Sequence, residues 1–393
     1  MPAGAPGVDD ARMARRLDGI PGFGIDRVAA AAGSDPDVLR LENLDTDVPP
    51  HPRAVEVTRA AVGRDEANSY LPFSGLDEMK QAVAGLIRRR GGPEYDPYAE
   101  IVITQGEGDN MLNALLALTD PGDEVILSDP TYAGMLQRVR LVGASPRLVP
   151  LRGDASGWRL DVDALRAAVT DRTRVLFVMN PSMPTGWVAN DEEWGAIAAI
   201  CVERDVTLLY WSVSEAIVFG GRPVVVPSAL DGMRDRTVTL GSVSNEQRMI
   251  GWRVGWMVAS AELAPRLGLV HIYNGICTGG FGQIGAAAGI AAGDDDVRAA
   301  VAEWERRHAE LVRQCDGLPL LPAHGGWSAL IDAEACGLDA PELSRRLLER
   351  KVAATPMTVW GEAVAPRHVR FVFSNEPVER LALLGDRLRA ALG

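Results

Sequence analysis

Between Arg53 and Arg90 apolar residues recur at helical spacing in two runs, parted by the turn-rich segment 69–75. After Asp96 the pattern changes to short apolar runs separated by turns and helical stretches. Glu100–Thr104 reads as a strand, the Gly106 turn follows, and Met111–Leu118 reads as a helix. Glu124–Ser128 is the next strand, then a helix near Tyr132–Val142 and an extended run Ser145–Pro150. Arg174–Met179, Val206–Tyr210 and Thr237–Gly241 continue the series. Fully apolar strands alternating with helices predict βαβ units and a mainly parallel sheet covered on both faces. The character shifts at about Asp294. A long helix, Asp295–Cys315, precedes a strand over Gly325–Asp332, a helix over Pro341–Arg350, a strand over Val369–Phe373 and a closing helix.

The expected fold class is therefore α/β: a three-layer αβα large domain with a mainly parallel sheet, plus a smaller α+β C-terminal domain. The expected division is 1–45 as an N-terminal arm and small-domain segment, 46–293 as the large domain and 294–393 as the small one. Residues 1–22 are rich in Gly and Pro and are expected to be loose or draped over a neighbour.

At 393 residues the chain can bury a large core, and 24% charged residues with 47% hydrophobic ones exclude a disordered chain. A net charge of −13 disfavours nucleic acid or an anionic membrane as a partner. The N-terminus has no basic start followed by an apolar run, and no apolar stretch reaches membrane-spanning length, so a cytoplasmic location is expected. Four cysteines without CxxC spacing read as reduced thiols, and five scattered histidines offer no metal spacing, so no metal is expected.

Several turns end a strand and begin a helix, where free N–H groups favour anions. Tyr70 with Gly75, Gly106, Pro121–Val125, Asp129–Tyr132, Asn180–Gly186, Gly251–Gly255 and Val369–Phe371 follow one another in a fixed order. Their order and spacing resemble the class I/II aminotransferases, enzymes of fold type I that use pyridoxal phosphate (PLP), from about residue 40 to the C-terminus. The resemblance implies that Arg253 and Ser242 hold the cofactor phosphate and that Tyr70 reaches the phosphate of a neighbouring subunit in a homodimer. It implies that Tyr132 stacks on the pyridine ring and that Arg370 pairs with a substrate carboxylate, a role suited to a planar guanidinium.

The departures fall on the groups that run PLP chemistry. Asn245 stands where the family has its Schiff-base lysine, and an amide nitrogen cannot form an imine. The chain's two lysines, Lys80 and Lys351, lie in no matching context. Trp211 replaces the aspartate that holds the ring nitrogen protonated, Met183 the asparagine on the cofactor's O3′, and Ser214 a tyrosine sharing that oxygen. Glu107 brings a carboxylate to the phosphate cup, and Leu44 replaces a glycine of the substrate site. Trp211 and Met183 also suit simple filling of a void. Arg253 can equally be read as the partner of Glu107 or Asp109.

These positions lead to an expectation of no cofactor, or of PLP bound only non-covalently. The expected function is acid–base chemistry by Glu107, Asp109, Ser214, Tyr132 and Asn245 on an amino-acid-derived carboxylate: cyclisation, dehydration, isomerisation or condensation in specialised biosynthesis. Two alternatives stay open, an aminotransferase-like enzyme with non-covalent PLP or its amine form, and a non-catalytic partner of an active paralogue.

Overall fold

A computed structural model describes residues 14–393, so residues 1–13 of the expected loose arm lie outside the described part. A short helix, α1 (Ile25–Ala32), and strand, β1 (Leu39–Arg40), come first, then the amphipathic helices α2 (Pro52–Val62) and α3 (Asp77–Arg89). Strand and helix next alternate through β2 (Ile101–Thr104), α4 (Glu107–Leu118), β3 (Glu124–Asp129), α5 (Ala133–Leu141) and β4 (Ser145–Asp154). The series continues with β5 (Gly157–Leu160), α6 (Val162–Ala168), β6 (Thr173–Met179), α7 (Asp191–Glu203), β7 (Thr207–Trp211), β8 (Thr237–Ser242) and β9 (Gly255–Val258). Helices α8 (Ala264–Gly275), α9 (Gly280–Ala291) and α10 (Asp295–Gln314) follow. The chain ends in β10 (Leu320–Leu321), β11 (Ser328–Asp332), α11 (Ala340–Glu349), β12 (Val352–Ala353), β13 (Thr355–Pro356), β14 (His368–Val372), α12 (Val378–Leu381) and α13 (Leu384–Leu392).

The large sheet runs β2-β9-β8-β7-β6-β3-β4-β5. Strands β8, β7, β6, β3 and β4 pair in parallel, while β9 and β5 run antiparallel to their neighbours. Period-2 alternation sends successive side chains into two separate cores. Val125 and Leu127 pack with α4, α5 and α8 on one face, whereas Ile126 packs with α6 and α7 on the other. Trp211 faces the first core and Tyr210 the second. This α/β architecture matches the fold expected from the strand–helix alternation.

Two details differ from the sequence reading. Helix α4 starts at Glu107, not Met111, because Gly106 enters it at φ +96 and Glu107 and Asp109 suit the positive end of its dipole. Helices α8 and α9 lie in a Gly- and Ala-rich stretch whose apolar pattern gives no clear stripe.

The second unit is a four-stranded sheet, β10-β11-β14-β13, under α10, α11 and α13. Strand β1 joins it through parallel pairing with β12. Its core centres on Trp304 and Trp327, edge-to-face at 5.0 Å.

One carboxylate fastens the two units together. Asp129, buried at the end of β3, accepts backbone N–H groups from Glu362, Ala363, Val364 and Ala365 at 2.7–3.1 Å. Gly361 must be glycine for this approach, since a Cβ there would stand 2.0 Å from Asp129 Oδ1. Thr131 N–H donates to Trp360 O at 2.8 Å beside it. Loss of all four acceptor contacts leaves one buried and three part-buried N–H groups unmatched, and the buried one alone costs about 1–3 kcal/mol. Asp129→Ala is therefore expected to lower unfolding free energy by about 4 kcal/mol in urea titrations, and Asp129→Asn by less. A loss below about 1 kcal/mol for the alanine variant would refute the clamp.

Candidate functional site

The carboxyl ends of β3, β6 and β7 open onto a cavity of about 250 Å³ between the two units. Leu44, Glu107, Tyr132 and Met183 line it, as do Trp211, Asn245 and Arg370. Phe23, Ile25, Asp26, Asn43 and Trp360 complete the walls. A larger open groove of about 730 Å³ lies between α2 and α10, but none of the sequence-predicted site residues reaches it.

Tyr132 caps α5, and Gly134 makes room for its ring, because a Cβ there would stand 2.5 Å away. Phe23 stacks on that ring at 6.0 Å and Trp360 meets it edge-on at 5.9 Å. Burial pushes the Tyr132 hydroxyl above the ordinary phenol range, Arg138 beside it pulls it down, and Glu107 pushes it up. At neutral pH this phenol is a proton donor.

Arg370 comes from the middle of β14 and is fully buried. Its Nη2 donates to Glu42 O at 2.5 Å, and its Nη1 finds only the Met183 sulfur at 3.8 Å. Nε has no partner. The guanidinium carbon lies 4.6 Å over the Trp360 ring. The Glu42 carboxylate is turned to Arg40 instead, at 2.6 Å, so among the described residues no acid pairs with Arg370. Burial pulls the guanidinium down to about 10, which still leaves it charged at neutral pH. A buried cation without a counter-ion costs several kcal/mol, and an incoming carboxylate relieves that cost.

The opposite wall carries a carboxylate. Ser242 Oγ donates to Glu107 Oε2 at 3.0 Å, and Ser244 Oγ donates to the same oxygen at 2.8 Å. Arg253 packs against Gly106, where a Cβ would stand 2.8 Å from its Nη2. It donates to Ile250 O at 2.9 Å and forms no ion pair with Glu107 or Asp109 among the described residues. Asp109 turns away from the cavity. Its oxygens take His271 Nδ1 at 3.2 Å and Asn274 Nδ2 at 2.8 Å, which ties α4 to α8.

The remaining sequence-predicted positions scatter. Ser214 is buried but does not line the cavity, and Tyr70 projects outward, 80% exposed. Trp211 is buried with its Nε1 unpartnered. Sequence reasoning missed Phe23, Asp26, Ser244 and Trp360. Only Ser244, next to the lysine slot, carried a local signal.

The comparisons with known proteins place this geometry. The family model "Aminotransferase class I and II" matches residues 37–387. The arginine–pyruvate transaminase of Pseudomonas aeruginosa is 31% identical over 332 residues, 81% of this chain and 83% of that protein. The aspartate aminotransferase of Pyrococcus abyssi is 28% identical over 389 residues, 97% and 98% of the two chains. Among solved structures, N-succinyldiaminopimelate aminotransferase of Mycobacterium tuberculosis superposes with TM-score 0.91 at 29% identity, over 97% of this chain and 100% of that one. An aspartate aminotransferase of Thermus thermophilus with maleate gives 0.88 at 26%, over 96% and 99%.

These matches correct the expectation of no cofactor, or of PLP held only without a covalent link. The relatives are aminotransferases, whose cofactor is PLP, and the comparisons point to that cofactor. Ser242, Arg253 and the start of α4, the positions where the resemblance expects the cofactor phosphate, lie close together. Two positions do not fit the group in the family's pose. Glu107 already occupies the hydroxyls of Ser242 and Ser244, and no lysine lines the cavity. Lys80 donates to Ser74 at 2.7 Å, and Lys351 pairs with Asp35 at 2.5 Å.

Removing the carboxylate should open the cup to anions. Glu107→Ser is expected to tighten inorganic phosphate binding about tenfold by calorimetry, since a like charge beside an anion costs at least ~1 kcal/mol. Equal affinities in the two proteins would show that Glu107 does not hold the seat. Motif order, fold and family match agree over nearly the whole length, and the chain belongs to the class I and II aminotransferase family.

Proposed function

We propose that this chain is an aminotransferase-family enzyme that acts on a small carboxylate substrate. The observation that carries the reading is Arg370: a fully buried guanidinium, unpaired by any acid, beside a cavity. The substrate carboxylate binds Arg370 at Nη1, whose only contact is the Met183 sulfur. Trp360 supports the guanidinium from below, and Phe23 with Tyr132 walls the substrate's apolar part. Leu44 and Met183 restrict the space left for that part.

Acid–base chemistry falls to two groups on the cavity wall. Tyr132, kept protonated by burial, donates a proton from its hydroxyl. Glu107 Oε1 accepts no hydrogen bond among the described residues, and it is the oxygen that takes a proton. Asn245 orients a substrate polar group through its amide. Cyclisation, dehydration, isomerisation and condensation of an amino-acid-derived carboxylate all fit this set.

A second copy of the chain is part of the reading. Tyr70 and Tyr273 are 80% and 85% exposed, with Phe73, Leu269 and Ile276 also open to solvent. Family membership makes a homodimer the natural cover for this face. Among the described residues no helix is long and apolar enough to cross a membrane.

Titration with maleate and benzoate, read by tryptophan fluorescence, tests the carboxylate site. Trp360, under Arg370, should report occupancy. Arg370→Met should weaken maleate at least about 30-fold, from loss of about 2 kcal/mol or more. The same variant should be as stable as the parent or more stable by about 1–3 kcal/mol, because it removes a buried charge with no counter-ion. Unchanged affinity in Arg370→Met, or no binding of either probe to the parent, would refute the reading.

A further inference from the structure

The segment that carries Asn245 is held by a buried charge cluster that plays no part in the chemistry above. Arg90, the C-cap of α3, donates from Nη1 to Glu215 Oε1 at 2.8 Å and from Nη2 to Glu246 Oε2 at 2.6 Å. All three side chains are under 10% exposed. The other two carboxylate oxygens are also engaged. Glu246 Oε1 accepts Ala216 N–H at 2.7 Å, and Glu215 Oε2 accepts the Tyr210 hydroxyl at 3.1 Å.

The two acids come from two different segments. Glu246 follows Asn245, which lines the cavity, and Glu215 lies four residues after Trp211, which lines it too. A planar fork fixes the angle between the two carboxylates it holds, which an ammonium with three rotatable donors does not. The segment is pinned from its other side as well. Arg248 adopts φ +55, a conformation that a side-chain-bearing residue keeps only under constraint. It donates to Pro49 O at 2.9 Å and Glu246 O at 2.7 Å, and it pairs with Asp296.

We propose that Arg90 is a positioning residue for the cavity, holding Glu246 and Glu215 together so that Asn245 keeps its place in the wall. The cluster contains two anions and one cation, so it is short of positive charge. Asp294 lies 4.0 Å from Arg90 and adds negative charge, offset by Arg89 at 3.7 Å from Asp294. Tyr210 and the Arg248–Asp296 pair are the other titratable and charged groups packed around it. Burial, opposed by Arg90 and aided by Glu215, pushes the Glu246 carboxyl up to about 7.

The folded chain holds the Glu246 proton more tightly than the unfolded chain, so this group's contribution to stability falls as pH rises from the ordinary carboxylate range to about 7, and is flat above it. Local opening follows the same sign: an opened segment returns Glu246 to water, so the order of the Asn245 segment also weakens as pH rises through that range. A residue that merely supports the fold would change stability without changing the pH profile of binding.

The full-length protein and its Arg90→Lys and Glu246→Gln variants are compared from pH about 8 to about 6, a window centred on the Glu246 value of about 7. Maleate is the probe, and amide hydrogen exchange of residues 243–249 is read in parallel. In the parent, maleate affinity should fall about fivefold towards the alkaline end, a typical coupling between linked sites. Protection of amides 243–249, corrected for the intrinsic pH dependence of exchange, should weaken over the same range. Glu246→Gln should flatten both profiles, and Arg90→Lys should show fast exchange and weak binding at every pH. Slow, parent-like exchange in Arg90→Lys, or a parent-like pH profile in Glu246→Gln, overturns the proposal. If maleate binds no protein at any pH, the carboxylate reading fails, and the exchange data alone decide the role of Arg90.

Discussion

The cavity's aromatic wall depends on a carboxylate that joins the two units beside it. Asp129 ends a strand of the large sheet and receives four consecutive backbone N–H groups from the turn of the second unit. Three residues later in the chain stands Tyr132; one residue before the glycine at that turn stands Trp360. The clamp therefore sets the 5.9 Å contact between those two rings, and with it the floor on which Arg370 lies. Four N–H groups on one acid make a strong and directional joint, because ionised acceptors form bonds about twice as strong as neutral ones. A loose joint between the units would leave the aromatic walls and the guanidinium without fixed separation.

Two opposite charges face this cavity, and their environments differ in kind. The Glu107 carboxylate has two hydroxyl donors from its own chain, so the protein has already met part of its needs. Arg370 has one carbonyl, a sulfur and an aromatic face, none of them an anion. Carbonyl and cation–π contacts contribute about 1–3 kcal/mol each, less than the several kcal/mol of desolvating an unpaired ion. The imbalance is what makes the Arg370 end, rather than the Glu107 end, the place where a ligand gains most.

Much of this was legible in the chain, for reasons that differ by residue. The short apolar strands β2, β3, β6, β7 and β8 showed the parallel sheet because both of their faces are buried. Motif order brought Leu44, Met183, Trp211, Asn245 and Arg370 to one cavity although they span more than three hundred positions. What remained hidden depends on contacts between distant segments. Trp360 and Phe23 carry no motif, and only the folded chain stacks them around Tyr132. The pairing of Arg253 with Glu107 or Asp109, plausible from spacing, does not form: Arg253 donates to Ile250 O, Glu107 takes the hydroxyls of Ser242 and Ser244, and Asp109 takes His271. The expectation of no cofactor rests on a few side chains, whereas the family match runs through the whole fold.

The segment from Ser242 to Arg248 shows why one changed position does not stand alone. Asn245 lines the cavity with a short amide. Its neighbours supply the order from within: Glu246 to Arg90 and Ala216, Arg248 to Pro49 and Asp296, and Ser244 to Glu107. Burying so many charged groups in one short loop is unfavourable unless each finds its partner, and here nearly all of their acceptor and donor atoms do. Ordering of this kind fixes the wall before any ligand arrives, which lowers the entropy lost on binding. Two of these tethers, through Glu246 and Arg248, end on residues that touch no part of the cavity. The shape of the site is thus set from behind it, and substitutions there should be read as changes to the site itself.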